Sequence, residues 1–153
     1  MATSLPNKLA ATLVLLLASP FGFAGDACTE FNSDFMITGW TDAAPKSIFL
    51  YKYEVGEKFA IPTQGSPLEY KSTLSQRADG SSILVASPAS KATYGLDIHA
   101  NYKLVIDSSI EYFISEIKSS NLPRVGCPID SAKVNQCVTR AGKFIVFPSS
   151  CRQ

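Results

Sequence analysis

The stretch LDIHANYKLVI, residues 96–106, decides how the rest of this chain is read. Leu96, Ile98, Ala100, Tyr102, Leu104 and Ile106 take every second position, with Asp97, His99, Asn101, Lys103 and Val105 between them. Successive side chains of a strand point to opposite faces, so this spacing makes one apolar face and one mostly polar face. A half-buried β-strand is expected here.

Working outward, SIFLYKYE (47–54) is dense in β-branched and aromatic residues and is followed by VGEK, a turn signal. MITGW (36–40), SSILVAS (81–87) and KFIVFP (143–148) are further short strand candidates. Gly, Pro, Asn, Asp and Ser separate these runs at intervals of about ten residues, as in all-β sandwiches. Two segments compete with that reading. In DSSIEYFISEIKSSN, Ile110, Phe113, Ile114 and Ile117 stand at helical spacing, with Ser108 and Glu111 as a capping box. Yet IEYFI is rich in strand formers, and DSS can close a hairpin with the strand before it. In DSAKVNQCVTRAG, Val134, Cys137, Val138 and Ala141 form a helical stripe that Gly142 would cap. The expected fold is therefore mainly β, a small disulfide-stapled β-sandwich-like domain. The alternative is α+β, with short helices near 109–119 and 131–141.

Residues 1–24 read as a secretory signal peptide. Lys8 sits in a polar start, LAATLVLLLA (9–18) is the apolar run, and Gly22 and Ala24 are the small residues before a cut. The run is about half of the roughly 20 residues a bilayer span needs, so no permanent membrane anchor is expected. Gly25, Asp26 and Ala27 make a poor lipobox before Cys28, so acylation there is not expected either. Residues 25–153 read as one secreted or periplasmic β-rich domain. Nothing in the leader chooses between bacterial and eukaryotic export.

The four cysteines, Cys28, Cys127, Cys137 and Cys151, suit an oxidising compartment and two disulfides. Three of them fall in the last 27 residues, so at least one bridge ties that segment to itself. Four cysteines allow three connectivities, and spacing alone does not choose one.

The chain holds 14 basic and 13 acidic residues, and removing Lys8 with the leader leaves 13 of each. A neutral chain lacks the basic surface that nucleic-acid binding rests on. From Lys118 onward, however, six basic residues face Asp130 alone, a local excess of +5. Arg124, Lys133, Arg140 and Lys143 in that stretch make a candidate basic face for an anionic partner; the plainer reading, which charge counts favour, is that two halves of one domain complement each other.

Catalytic motifs are sparse. The chain has one histidine, His99, on the polar face of the 96–106 strand, and no serine sits in a nucleophile elbow. Disulfide-bonded cysteines are neither nucleophiles nor metal ligands, and zinc, calcium-loop and phosphate-loop spacings are missing. No cofactor or metal is expected. A carboxylate pair of the glycosidase kind has acids available but no motif.

The positive signal is aromatic. Trp40, Phe49, Tyr51 and Tyr53 are candidate binding residues, joined by Tyr70 and Tyr94 in the same half of the chain. Phe49, Tyr51 and Tyr53 share one face of their strand, opposite Ile48 and Leu50, and exposed rings stack on sugars or dock proteins. The competing reading buries them in a core. The expected function is an exported binding or interaction domain without catalytic activity, with a protein or glycan partner met through a sheet face or loops. An inhibitor or immunity-type protein and a small carboxylate hydrolase are the alternatives. Oligomeric state is left open.

Overall fold

Alternation sets the architecture. In the computed structural model, which describes residues 30–56, 58–90, 95–119, 128–140 and 142–153, the chain is built of β-strands. They are β1 (Glu30–Asn32), β2 (Phe35–Thr38), β3 (Ile48–Glu54), β4 (Leu68–Gln76), β5 (Ser82–Pro88) and β6 (Gly95–Asp97). β7 (Ala100–Ile106), β8 (Ile110–Ser119), β9 (Ile129–Val134), β10 (Cys137–Arg140) and β11 (Ile145–Pro148) follow, then a 3-10 turn, Ser149–Cys151. Among the described residues no helix is long and apolar enough to cross a membrane.

Nine strands form one sheet in the order β10-β9-β8-β7-β3-β4-β5-β2-β11, and β1 pairs with β6 in a second, small one. All neighbours are antiparallel except β2 and β11, which run parallel. The large sheet bends at β3–β4, where only Ile48, Leu50 and the residue between them pair with β4. The two halves fold over each other until the edge strands β10 and β11 touch, giving a sandwich that is nearly a barrel.

Inward rows cross the strands in register. Leu50, Leu104 and Tyr112 form one row across β3, β7 and β8. Leu84, Ile37 and Phe147 form another across β5, β2 and β11. All six are at most 1% exposed, so each contributes close to its full burial value, about 1.5–3 kcal/mol for such side chains. Edge-to-face and tilted ring pairs knit the interior, with Phe31 on Tyr102 at 6.1 Å and Tyr112 on Phe147 at 4.8 Å. Trp40 also belongs to this core, 3% exposed, with its indole N–H donated to the Ala43 carbonyl.

The touching edges are sealed by side chains. Cys137 at the start of β10 is bonded to Cys151 just after β11, which is the expected bridge within the tail. Cys28 and Cys127 lie outside the described residues. Asn135, in the two-residue turn joining β9 to β10, accepts the Phe113 amide at 2.8 Å and donates to the Cys151 and Glu111 carbonyls. Ser149 donates its hydroxyl to the Gly39 carbonyl, and Arg152 pairs with Asp42 at 3.2 Å.

The mainly β expectation holds, the helical alternative falls, and one strand expectation is corrected. Residues 109–119 and 131–141 hold no helix among the described residues: β8 fills the first, and β9, the Asn135–Gln136 turn and β10 fill the second. Cross-strand partners on both sides override the helical spacing, because Tyr112 and Ile114 are the inward residues of β8. The 96–106 stretch keeps its apolar face but is two strands, not one. The Asp97 carboxylate takes the His99 amide at 2.8 Å and turns the chain at Ile98–His99.

Candidate functional site

The outer face of β3, β7 and β8 carries what alternation leaves outside. Register sets Tyr51 opposite Lys103 and Lys103 opposite Phe113, so one row reads ring, ammonium, ring. The Lys103 ammonium lies 5.4 Å from the Tyr51 ring centre and 5.8 Å from that of Phe113, both within cation–π range. Its charge is also met by Glu111 at 3.4 Å. The next row sets Phe49 opposite Val105 and Val105 opposite Glu111. Phe49, Tyr51, Val105 and Phe113 are all half-buried, so ring edges and faces reach solvent. The result is an apolar, nearly neutral ridge with a lysine stem at its centre.

The segment between β3 and β4 folds over one end of this ridge. Lys52 holds it by both backbone groups: its amide donates to the Ser66 hydroxyl and its carbonyl accepts from Thr63. Lys58 and Phe59 adopt left-handed backbone, φ 42° and 59°, which turns the Phe59 ring back onto the sheet. That ring sits 5.2 Å from Tyr53 and 4.8 Å from Phe113, edge to face with both. Tyr53 is consequently 2% exposed although it shares the strand face of Phe49 and Tyr51.

Beyond Phe59 opens a cleft of about 590 Å³. Its walls are Val55, Gly56, Lys58 and Phe59, the Ile98–His99 turn with Asn101, and residues 115–117 of β8. Here β8 bulges: its register with β9 shifts between Ser115 and Lys118, and Glu116 has φ 50°. By plain alternation Glu116 would follow Tyr112 and Ile114 into the core; the bulge swings it outward, where its carboxylate meets Lys133 at 3.3 Å. His99 is exposed at the cleft, in a turn rather than in the strand expected for it. Asp97 stands just below. Burial pulls its pKa up, but the His99 amide and the Lys52 ammonium at 3.2 Å outweigh that and hold it below the usual carboxylate value.

The sequence-expected residues thus divide. Phe49 and Tyr51 lie on the ridge, Tyr53 lies beneath Phe59, and Trp40 lies in the core. Phe59, Lys103 and Phe113 complete the site; sequence spacing does not point to them, because they come from a loop and two other strands. Of the candidate basic face, Lys133 is ion-paired with Glu116, and Lys143 lies over the Phe144 ring at 5.7 Å. Arg140 ends β10, while Arg124, like Tyr94, is outside the described residues. Among the described residues no three metal-ligating side chains cluster, and the cleft lining holds one carboxylate, that of Glu116. No family model, curated protein or solved structure matches this chain.

Proposed function

We propose that this chain is an exported glycan-binding domain that works without catalytic chemistry, through the outer face of β3, β7 and β8. The observation that carries the reading is the Tyr51–Lys103–Phe113 row, two half-exposed rings flanking a neutralised ammonium. The apolar faces of sugar rings stack on such aromatics, and the hydroxyl edges reach the polar groups set between them. A protein partner is favoured less, because interface centres are depleted of charge whereas this patch has the Lys103–Glu111 pair at its middle. The leader and the tail disulfide suit a domain that meets its ligand outside the cytosol.

The test is affinity electrophoresis and a glycan array with the mature protein, its Tyr51→Ala variant and its Phe49→Ala variant. Both positions are half-buried on the outer face, so the fold survives the truncations. Retention by at least one neutral glycan is expected, weakened about tenfold by Tyr51→Ala, the value of one lost ring contact. Failure to bind any glycan, together with stoichiometric capture of a hydrolase, would replace this reading with the inhibitor one.

A further inference from the structure

We infer that the cleft beyond Phe59 is the specificity end of this surface and holds one neutral saccharide ring. The inference rests on the glycan reading above and names where selection among glycans takes place. The cleft adjoins the ridge through Phe59, which lines the one and packs on Phe113 of the other. Its volume, about 590 Å³, lies within the range of ligand pockets.

The lining fits a neutral polyol better than an anion or a metal. Phe59, Ile98 and Ile117 supply apolar wall, and the Asn101 amide, Ser115 hydroxyl and His99 imidazole supply hydrogen-bonding groups. Lys58 is the one lysine or arginine among the described lining residues, and Glu116, itself paired with Lys133, the one carboxylate, so no cluster of cations is built to select a phosphate or a carboxylate. The Glu116 carboxylate reaches this place only through the β8 bulge, and bulges next to binding sites re-aim side chains in this way. Three non-glycine residues with left-handed backbone, Lys58, Phe59 and Glu116, surround the same opening. Strain of this kind, about 1–3 kcal/mol per residue, collects at ligand clamps.

His99 makes the test direct, because the chain's only histidine gives ring-proton signals that need no assignment by mutagenesis. The mature protein is titrated with a panel of neutral methyl hexosides and methyl N-acetylhexosaminides, and separately with inorganic phosphate, while those signals are followed by NMR. Saturable shifts with at least one glycoside and none with phosphate are expected. Asn101→Ala and the isosteric Glu116→Gln should each weaken that binding about tenfold, the worth of one hydrogen bond left unmade. Tyr51→Ala should weaken longer oligosaccharides, which cover the ridge as well as the cleft.

Shifts with phosphate alone, no shift with any glycoside, or shifts that the two cleft variants leave intact would each overturn the inference. If oligosaccharides still bind in a Tyr51-dependent way when the cleft test fails, the ridge reading stands and only the cleft is lost. If neither glycosides nor oligosaccharides bind, both fall.

Discussion

Asn135 joins three parts of the molecule through one side chain: the Phe113 amide of β8, the β9–β10 turn, and the Cys151 carbonyl behind β11. Its backbone is left-handed, φ 51°, a conformation that asparagine tolerates and alanine does not. Asn135→Ala should therefore lower unfolding free energy by about 2–3 kcal/mol, from unsatisfied partners and backbone strain together. Asn135→Gly removes the same hydrogen bonds without the strain, so it should cost about 1 kcal/mol less; urea midpoints of the two variants measure the difference. Asp97 makes a pH prediction at the same scale. Its folded pKa is depressed, so its contribution is complete above the unfolded carboxyl value of about 3.9 and is lost as pH falls through the lower folded value. Stability should fall below about pH 4, and Asp97→Asn, which keeps the acceptor for the His99 amide, should reduce that acid-side fall. The change will be small, because the Asp97 side chain is 41% exposed and water screens its pairing with Lys52.

Among the elements, the β7–β8 hairpin is the one that organises the candidate site, since it brings Lys103 and Phe113 opposite each other. Its turn places Asp107 and Ser108 at φ 49° and 57°, the backbone of a right-twisting hairpin turn, and the Asp107 carboxylate takes the amides of Lys46 and Ser47 at 2.8 and 2.9 Å. Ser108→Gly should raise stability by about 0.5 kcal/mol, visible as a higher thermal midpoint, because glycine adopts that φ freely and the gain exceeds its extra unfolded-state entropy. This hairpin also shows how much was legible in the sequence. The 96–106 alternation identifies the inward face residue by residue, and DSS marks the turn, because both signals are local. The helical spacing of Ile110, Phe113, Ile114 and Ile117 misleads, since Phe113 is apolar for a different reason from its neighbours: it lies under Phe59 on the outer face. β4 gives little signal, as in LEYKSTLSQ the one apolar residue beyond Tyr70 is the exposed Leu74, and the strand is held by its partner β5 instead. The site was half visible. Phe49 and Tyr51 can be read from spacing on one strand, whereas Lys103, Phe113 and Phe59 join them only through register and a long loop.

At the scale of the whole molecule the seam between β10 and β11 is the feature on which integrity turns. The Cys137–Cys151 bridge spans 14 residues, and a closed loop of that size is worth about 3 kcal/mol through the entropy of the unfolded chain. The double variant Cys137→Ala/Cys151→Ala should lose about that much, and amide exchange should quicken in β10 and β11 before β3, β7 and β8. If the leader is cut as the sequence suggests, the intact mass of the exported protein should begin at Gly25, and reduction should raise it. The parallel pairing of β11 with β2 carries a different implication, for how the molecule is made. Phe35 and Ile145 are neighbours in the sheet yet 110 residues apart along the chain, and β11 follows every other strand. A chain delivered N terminus first must hold β2, with its apolar Phe35 and Ile37, beside an empty lane until nearly everything else has arrived. Closing so wide a loop is slow, and an unfinished edge invites the β2 or β11 of another waiting chain. Crowding during delivery, more than heat afterwards, is the hazard this topology builds in.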